Sequence, residues 1–232
     1  MDNKQHRIEH DYLSMAEQFL RLSHLTANKL VQGGNCSKLV LCDTDAEVEA
    51  SIERQDWADH SIAMPILFNF FHGIELTLKG LIYEKQADRI KAHGLSDFMN
   101  LFLQEYPEEV EIRDLLDKYI RHIPKKSALH RYLNKNRVSI DQWYLFLKYP
   151  EDNNKKPYDI TMFYDEGSDS LKFWENISQD SHNINRLATE VWMRNKGHDA
   201  SAGGIVDTND RRASIPAPNA GRERTSLDNS TE

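Results

Sequence analysis

Apolar residues recur along this chain at the spacing of helices, most densely between Ile62 and Glu84. Wound as a helix, that stretch has three sides. Leu67, Phe70, Phe71, Ile74, Leu78, Leu81 and Ile82 form a broad apolar face. Gly73, Thr77 and Gly80 form a narrow stripe of small residues, where a second helix backbone can come close. Asn69, His72, Glu75, Lys79 and Tyr83 form a polar stripe. A helix apolar around most of its circumference belongs inside a bundle, so its polar groups must find partners or water.

The flanking segments follow the same period. Asp11 to Val31 predicts a helix with Ala16, Phe19, Leu20, Ser23, Ala27 and Leu30 inward, stopped by Gly33 and Gly34. The central helix is expected to begin between Asp56 and Ser61; Pro65 is tolerable in a first turn and would kink the helix further in. Ser96 is expected to cap a helix carrying Phe98, Leu101, Phe102 and Tyr106. Ile112, Leu115, Leu116, Tyr119 and Ile120 give another stripe, ended by Pro124. Ser139 and Gln142 read as a capping box for a short aromatic helix that Pro150 ends. A last helix is expected from Ser170 to Lys196, with Gly197 closing it.

Other segments are less regular. Residues 38–42 read as a short strand or a buried loop, and 45–54 as a helical turn or a loop. Tyr158, Ile160, Met162 and Tyr164 alternate before a turn-like DEGSDS, which admits a small β-hairpin within 158–173. Residues 199–232 contain no aromatic side chain and too little apolar surface to offset ordering, so a disordered tail is expected. The fold expected is an all-α helical bundle over residues 1–198.

Charge narrows the function classes. The formal net charge is −8, so general nucleic-acid affinity is not built in and any phosphate contact needs a local patch. The one cationic concentration is Lys125, Lys126, His130, Arg131, Lys135 and Arg137, with Tyr132 among them. It reads either as a solvated face or as an RNA contact in which Tyr132 stacks on a base. Cys36 and Cys42 do not have a usual zinc spacing, and there is no second pair. No metal and no cofactor is expected: the chain lacks a phosphate-binding glycine loop, an HExxH and a Gly-x-Ser-x-Gly elbow. The N-terminal residues are polar and the central helix carries charges, so the expectation is a cytoplasmic protein without a membrane span.

His72, Glu75 and Lys79 fall at i, i+3 and i+7, on one helix side. As a catalytic or ligand site, Lys79 would hold a phosphate and Glu75 would orient His72. As structure, Glu75 and Lys79 form an ion pair inside the bundle, and this reading takes precedence. His93, just before a helix, either packs beneath it or reaches this stripe.

Three strings, FFHGIELTLKGLI at Phe70–Ile82, HGLSDF at His93–Phe98 and LKYP at Leu147–Pro150, occur in an order that resembles the HEPN superfamily. These are small helical domains of prokaryotic toxins and defence proteins. The resemblance covers residues 10–150 and implies a HEPN-type bundle, commonly homodimeric. It implies a defence or toxin–antitoxin-type role, with RNA, nucleotide or antitoxin as partner. Catalytic members carry Arg and His with four to six residues between them, in a late helix. Here Arg89 to His93 and Arg194 to His198 are too tight, and Arg54 to His60 precedes the central helix. Lys148 stands where the related branch usually shows Arg. The resemblance therefore implies a non-catalytic binding member. An active endoribonuclease and a scaffold without a nucleic-acid role are the alternatives.

Overall fold

The broad apolar face of the central helix sets the architecture, because it must be covered on several sides at once. The computed structural model of the chain describes residues 3–35, 44–85, 94–149, 155, 157, 159–164 and 168–202. These hold α1 (Asn3–Gln32), α2 (Asp45–Asp56), α3 (Asp59–Lys85), α4 (Leu95–Glu105), α5 (Val110–Ile120), α6 (Ala128–Asn136), α7 (Ile140–Phe146) and α8 (Ser168–Ala202). The fold is an all-α helical bundle, with no β-strand among the described residues. Leu67, Phe70, Phe71, Ile74, Leu78, Leu81 and Ile82 are all fully buried on α3. α1 runs along α3 and α8, while α4 covers another side of α3. Within Asp45–Lys85 one 18-residue window is apolar enough to cross a membrane, and 61 % of that window is buried inside the fold.

The small-residue stripe is used within the chain. A Cβ at Gly73 would lie 2.7 Å from Leu20 Cγ, and one at Gly80 2.7 Å from Leu13 Cγ. Both leucines belong to α1, so the absent side chains let α1 seat directly on the α3 backbone.

α1 ends as its two glycines predict. Gly34 takes φ +71°, its N–H donates to Val31 O at 3.0 Å, and the Asn35 N–H donates to Leu30 O at 3.2 Å. This is a Schellman motif, in which the residue at positive φ favours glycine. Asn35 is then buried, and its side chain joins three helix ends. Its amide donates to Asp59 Oδ2 at 2.6 Å and its carbonyl accepts from the Asp59 N–H at 2.7 Å. The Ser170 hydroxyl of α8 donates to the same carboxylate at 3.2 Å. Burial raises the Asp59 carboxyl above its ordinary 3.8, and the hydrogen bonds from Asn35, the backbone and Ser170 oppose that rise.

Several sequence expectations are corrected. α1 begins at Asn3, eight residues before its clear periodicity. Residues 45–54 lie in a complete helix, opened by a capping box between Thr44 and Glu47. Pro65 lies inside α3, beyond its first turn. Ser96 does not cap α4: Gly94 holds the N-cap position, and Asp141 of α7 accepts from the Ser96 N–H at 3.0 Å. The hairpin within 158–173 does not form. Asp159 Oδ1 accepts from the Thr161 N–H at 3.0 Å and from its hydroxyl at 2.5 Å. That local bonding turns the chain into a 3₁₀ turn at Thr161–Phe163, and α8 starts at Ser168. Phe163 enters the core. Gly197 does not close the last helix, which continues to Ala202. The Ser139–Gln142 capping box is present. The strand-or-loop reading of 38–42, both cysteines, and the tail from 203 to 232 lie outside the described residues.

Candidate functional site

The polar stripe of α3 meets the aromatic helix α7. Glu75 is 8 % exposed, and three groups donate to its carboxylate. Lys79 Nζ reaches Oε1 at 2.7 Å. His72 Nδ1 lies 3.2 Å from Oε2, and the Tyr144 hydroxyl forms a short hydrogen bond to the same oxygen. His72 Nδ1 is also 2.8 Å from the Tyr144 oxygen. Tyr144 gives its proton to Glu75, so it must accept from His72, and the network assigns the hydrogen to Nδ1. His72 Nε2 is then the free ring nitrogen.

Burial pushes the Glu75 carboxyl up, but the hydrogen bonds from His72, Lys79 and Tyr144 outweigh it. They hold the carboxyl at about 2, against an ordinary 4.5. Burial, and then the same carboxylate, pushes the Tyr144 phenol well above its ordinary value. Glu75 is thus a fixed anion and Tyr144 a fixed donor.

Aromatic rings enclose the imidazole. Phe68 stacks on it with centroids 5.5 Å apart, and Phe19 of α1 meets its edge at 4.6 Å. Lys79 Nζ lies 5.2 Å from the centre of the Phe98 ring, and Lys148 Nζ 4.4 Å from that of Tyr144. A basic nitrogen beside a cation is the raw material for proton transfer at a phosphate ester. Here the cation is already neutralised by Glu75 and the imidazole is wedged between rings.

His72, Glu75 and Lys79 are brought together, as their spacing predicts. Asn69 is half-buried, and its side chain makes no hydrogen bond with another described residue. His93 lies outside the described residues. Arg54 and His60 are exposed and take no part in this cluster. Tyr144 and Lys148 are the members that sequence reasoning missed.

The basic run splits in two. Lys125 and Lys126 are exposed in the connection before α6, and Arg137 is exposed at its left-handed C-cap with φ 55°. None of these three forms an ion pair with a described residue. Arg131 instead donates to Lys126 O at 2.9 Å, and Lys135 pairs with Asp159 at 2.6 Å. Tyr132 cannot stack on a base. It is fully buried, with its ring centroid 4.3 Å from that of Trp143 and further contacts to Phe146 and Phe163. Ala128, Leu129, Tyr132 and Leu133 form the inward face of α6, so Tyr132 belongs to the apolar stripe and the cations to the other side.

Among the described residues, no group of three or more His, Cys, Asp or Glu side chains is placed to hold a metal ion. No known family, curated protein or solved structure matches this chain.

Proposed function

We propose that the chain is a HEPN-like, non-catalytic binding module of a bacterial defence or toxin–antitoxin-type system, acting in the cytoplasm on RNA or a nucleotide. The observation that carries this reading is the convergence of the three quoted segments. His72 and Lys79 come from the first, Phe98 under Lys79 from the second, and Lys148 over Tyr144 from the third. The ion pair that neutralises Lys79 supports a binding role over cleavage. The unpaired cations Lys125, Lys126 and Arg137 provide the phosphate contacts.

The test is fluorescence anisotropy with a structureless RNA over a salt series. Binding is expected at low salt. Reversing Lys125, Lys126 and Arg137 to Glu should flatten the slope of log K against log salt by about 2. The RNA should stay intact. Cleavage that disappears in His72→Ala would make the α3 stripe an active site, and absence of any binding would favour a scaffold.

A homodimer is part of the proposal. The Gly73–Gly80 stripe is already occupied by α1, so a second copy needs another face. Ile8, Met15 and Leu22 are exposed on α1 at seven-residue intervals, with Leu25 beside them, a spacing suited to pairing with an identical helix. Light scattering should give twice the chain mass, and Met15→Glu with Leu22→Glu should return the monomer without unfolding it. A monomeric parent protein would remove the dimer.

A further inference from the structure

A second polar feature lies away from the Glu75 cluster, where α1, α3 and α8 meet. A cavity of about 140 Å³ opens there between His10, Ser14 and Glu17 of α1, Thr77 of α3, and Asn185 and Trp192 of α8. An apolar cavity of about 150 Å³ accepts a benzene-sized guest, so this one is large enough for a ligand of about six heavy atoms.

Its lining leaves two buried polar atoms unbonded. Thr77 is 1 % exposed, and its hydroxyl has no hydrogen-bond partner among the described residues. The Trp192 indole N–H is equally buried and unpartnered. Buried polar groups are almost always paired, and each such orphan carries an uncompensated desolvation penalty. Two orphans on the wall of one cavity call for a common acceptor. An indole N–H can only donate, and a hydroxyl can donate as well as accept. The buried end therefore asks for an oxygen.

The mouth asks for the opposite. Glu17 is exposed and forms no ion pair with a described residue, and the Asn185 side chain makes no hydrogen bond with one. A free carboxylate over a small polar cavity selects a cation. A larger cavity, about 270 Å³ between α5, α6 and α8, contrasts with this one. Its Lys118 is paired with Asp180 and its Lys172 with Glu175, and its remaining lysine, Lys126, belongs to the cationic surface already described.

We infer that the α1–α3–α8 cavity binds a small organic ammonium compound that also carries a carbonyl or hydroxyl oxygen. The oxygen accepts from Trp192 and Thr77, and the ammonium group meets Glu17 at the mouth. No covalent step is involved. Binding here is independent of RNA binding and of the Glu75 cluster.

Trp192 supplies its own reporter. The full chain has four tryptophans, so a proton–nitrogen correlation spectrum carries four indole signals, and Trp192→Phe identifies one of them. Titrating glycinamide and ethanolamine at pH 6.5, where both are ammonium ions, should move the Trp192 signal along a saturable curve and leave the other three in place. Acetate and benzene should leave it unmoved. Glu17→Gln should weaken binding about tenfold, and Thr77→Val should weaken it while the thermal midpoint stays close to the parent's. No saturable shift at about 100 mM of either amine, where even a Kd of about 1 mM is saturated, would mean the cavity holds water only and overturn the proposal. Equal binding of acetate, or unchanged affinity in Glu17→Gln, would overturn it as well.

Discussion

Gly73→Leu is expected to abolish cooperative folding. At an uncrowded helix position, glycine to alanine gains about 1 kcal/mol from backbone entropy. Gly73 is not such a position. The first added carbon would meet Leu20 Cγ at 2.7 Å, Cδ2 at 2.8 Å and the Leu20 backbone nitrogen at 3.3 Å. Leu20 is fully buried, so its side chain has nowhere to retreat. Overpacking of this kind typically takes 1–3 kcal/mol, so Gly73→Ala should already lower stability by about 2 kcal/mol. Leucine adds three more carbons between two helices that share the longest contact in the fold, and should exceed the whole stability reserve of about 5–15 kcal/mol. The control is Leu20→Ala in the Gly73→Ala background. It should be less damaging there than alone, because each substitution makes room for the other. Urea midpoints for the four proteins decide it. Additive losses would show that α1 and α3 do not meet where the geometry has them.

Acid should expose Glu75 next. Its carboxyl is held at about 2 in the fold and has an ordinary value of 4.5. A depressed folded value contributes stability that is fully present above 4.5 and is lost as pH falls through about 2. The size is roughly 3 kcal/mol at neutral pH. Asp59 works with the opposite sign. Its folded value is raised, so its contribution is most favourable at low pH and declines as pH climbs through the folded value. Glu75→Gln should therefore lower the urea midpoint at pH 6 and change it little at pH 2.5, while the parent loses most of its advantage between those points. Parallel profiles for parent and variant would mean that the carboxylate's three donors do not hold it as an anion. Lys79, about a quarter exposed, can turn to water in the variant, which keeps the effect on Glu75 itself.

What the sequence revealed and what it hid follow from range. The three sides of α3 were legible because 3.6-residue periodicity is local and the run is long. α2 was not recognised as a full helix because it is polar and has no apolar stripe, although Thr44 and Glu47 carried a capping-box signal. Tyr132 was misread because its neighbours in sequence are cations, whereas its neighbours at helical spacing are apolar. The hairpin was suggested by four alternating apolar residues, and one Asp159 side chain overrode them through local bonds. The nonlocal members were out of reach. Tyr144 joins Glu75 from 69 positions away, and Asp141 replaces the expected cap from 45.

The central helix depends for its cover on the end of the chain. α8 lies along α1, supplies Ser170 to the Asn35–Asp59 junction, and supplies Asn195 to Glu84 at 3.0 Å. A ribosome releases α3 well before it has made α8, and at ordinary elongation rates the delay is on the order of ten seconds. Early in that interval, before α4 is made, the most apolar surface of the protein has only α1 and α2 to rest on. The two crossing points at Gly73 and Gly80 let that pairing close as soon as α3 emerges. The α1–α3 hairpin is thus the nascent chain's own shield, and a substitution at either glycine would surface first as dependence on chaperones during synthesis.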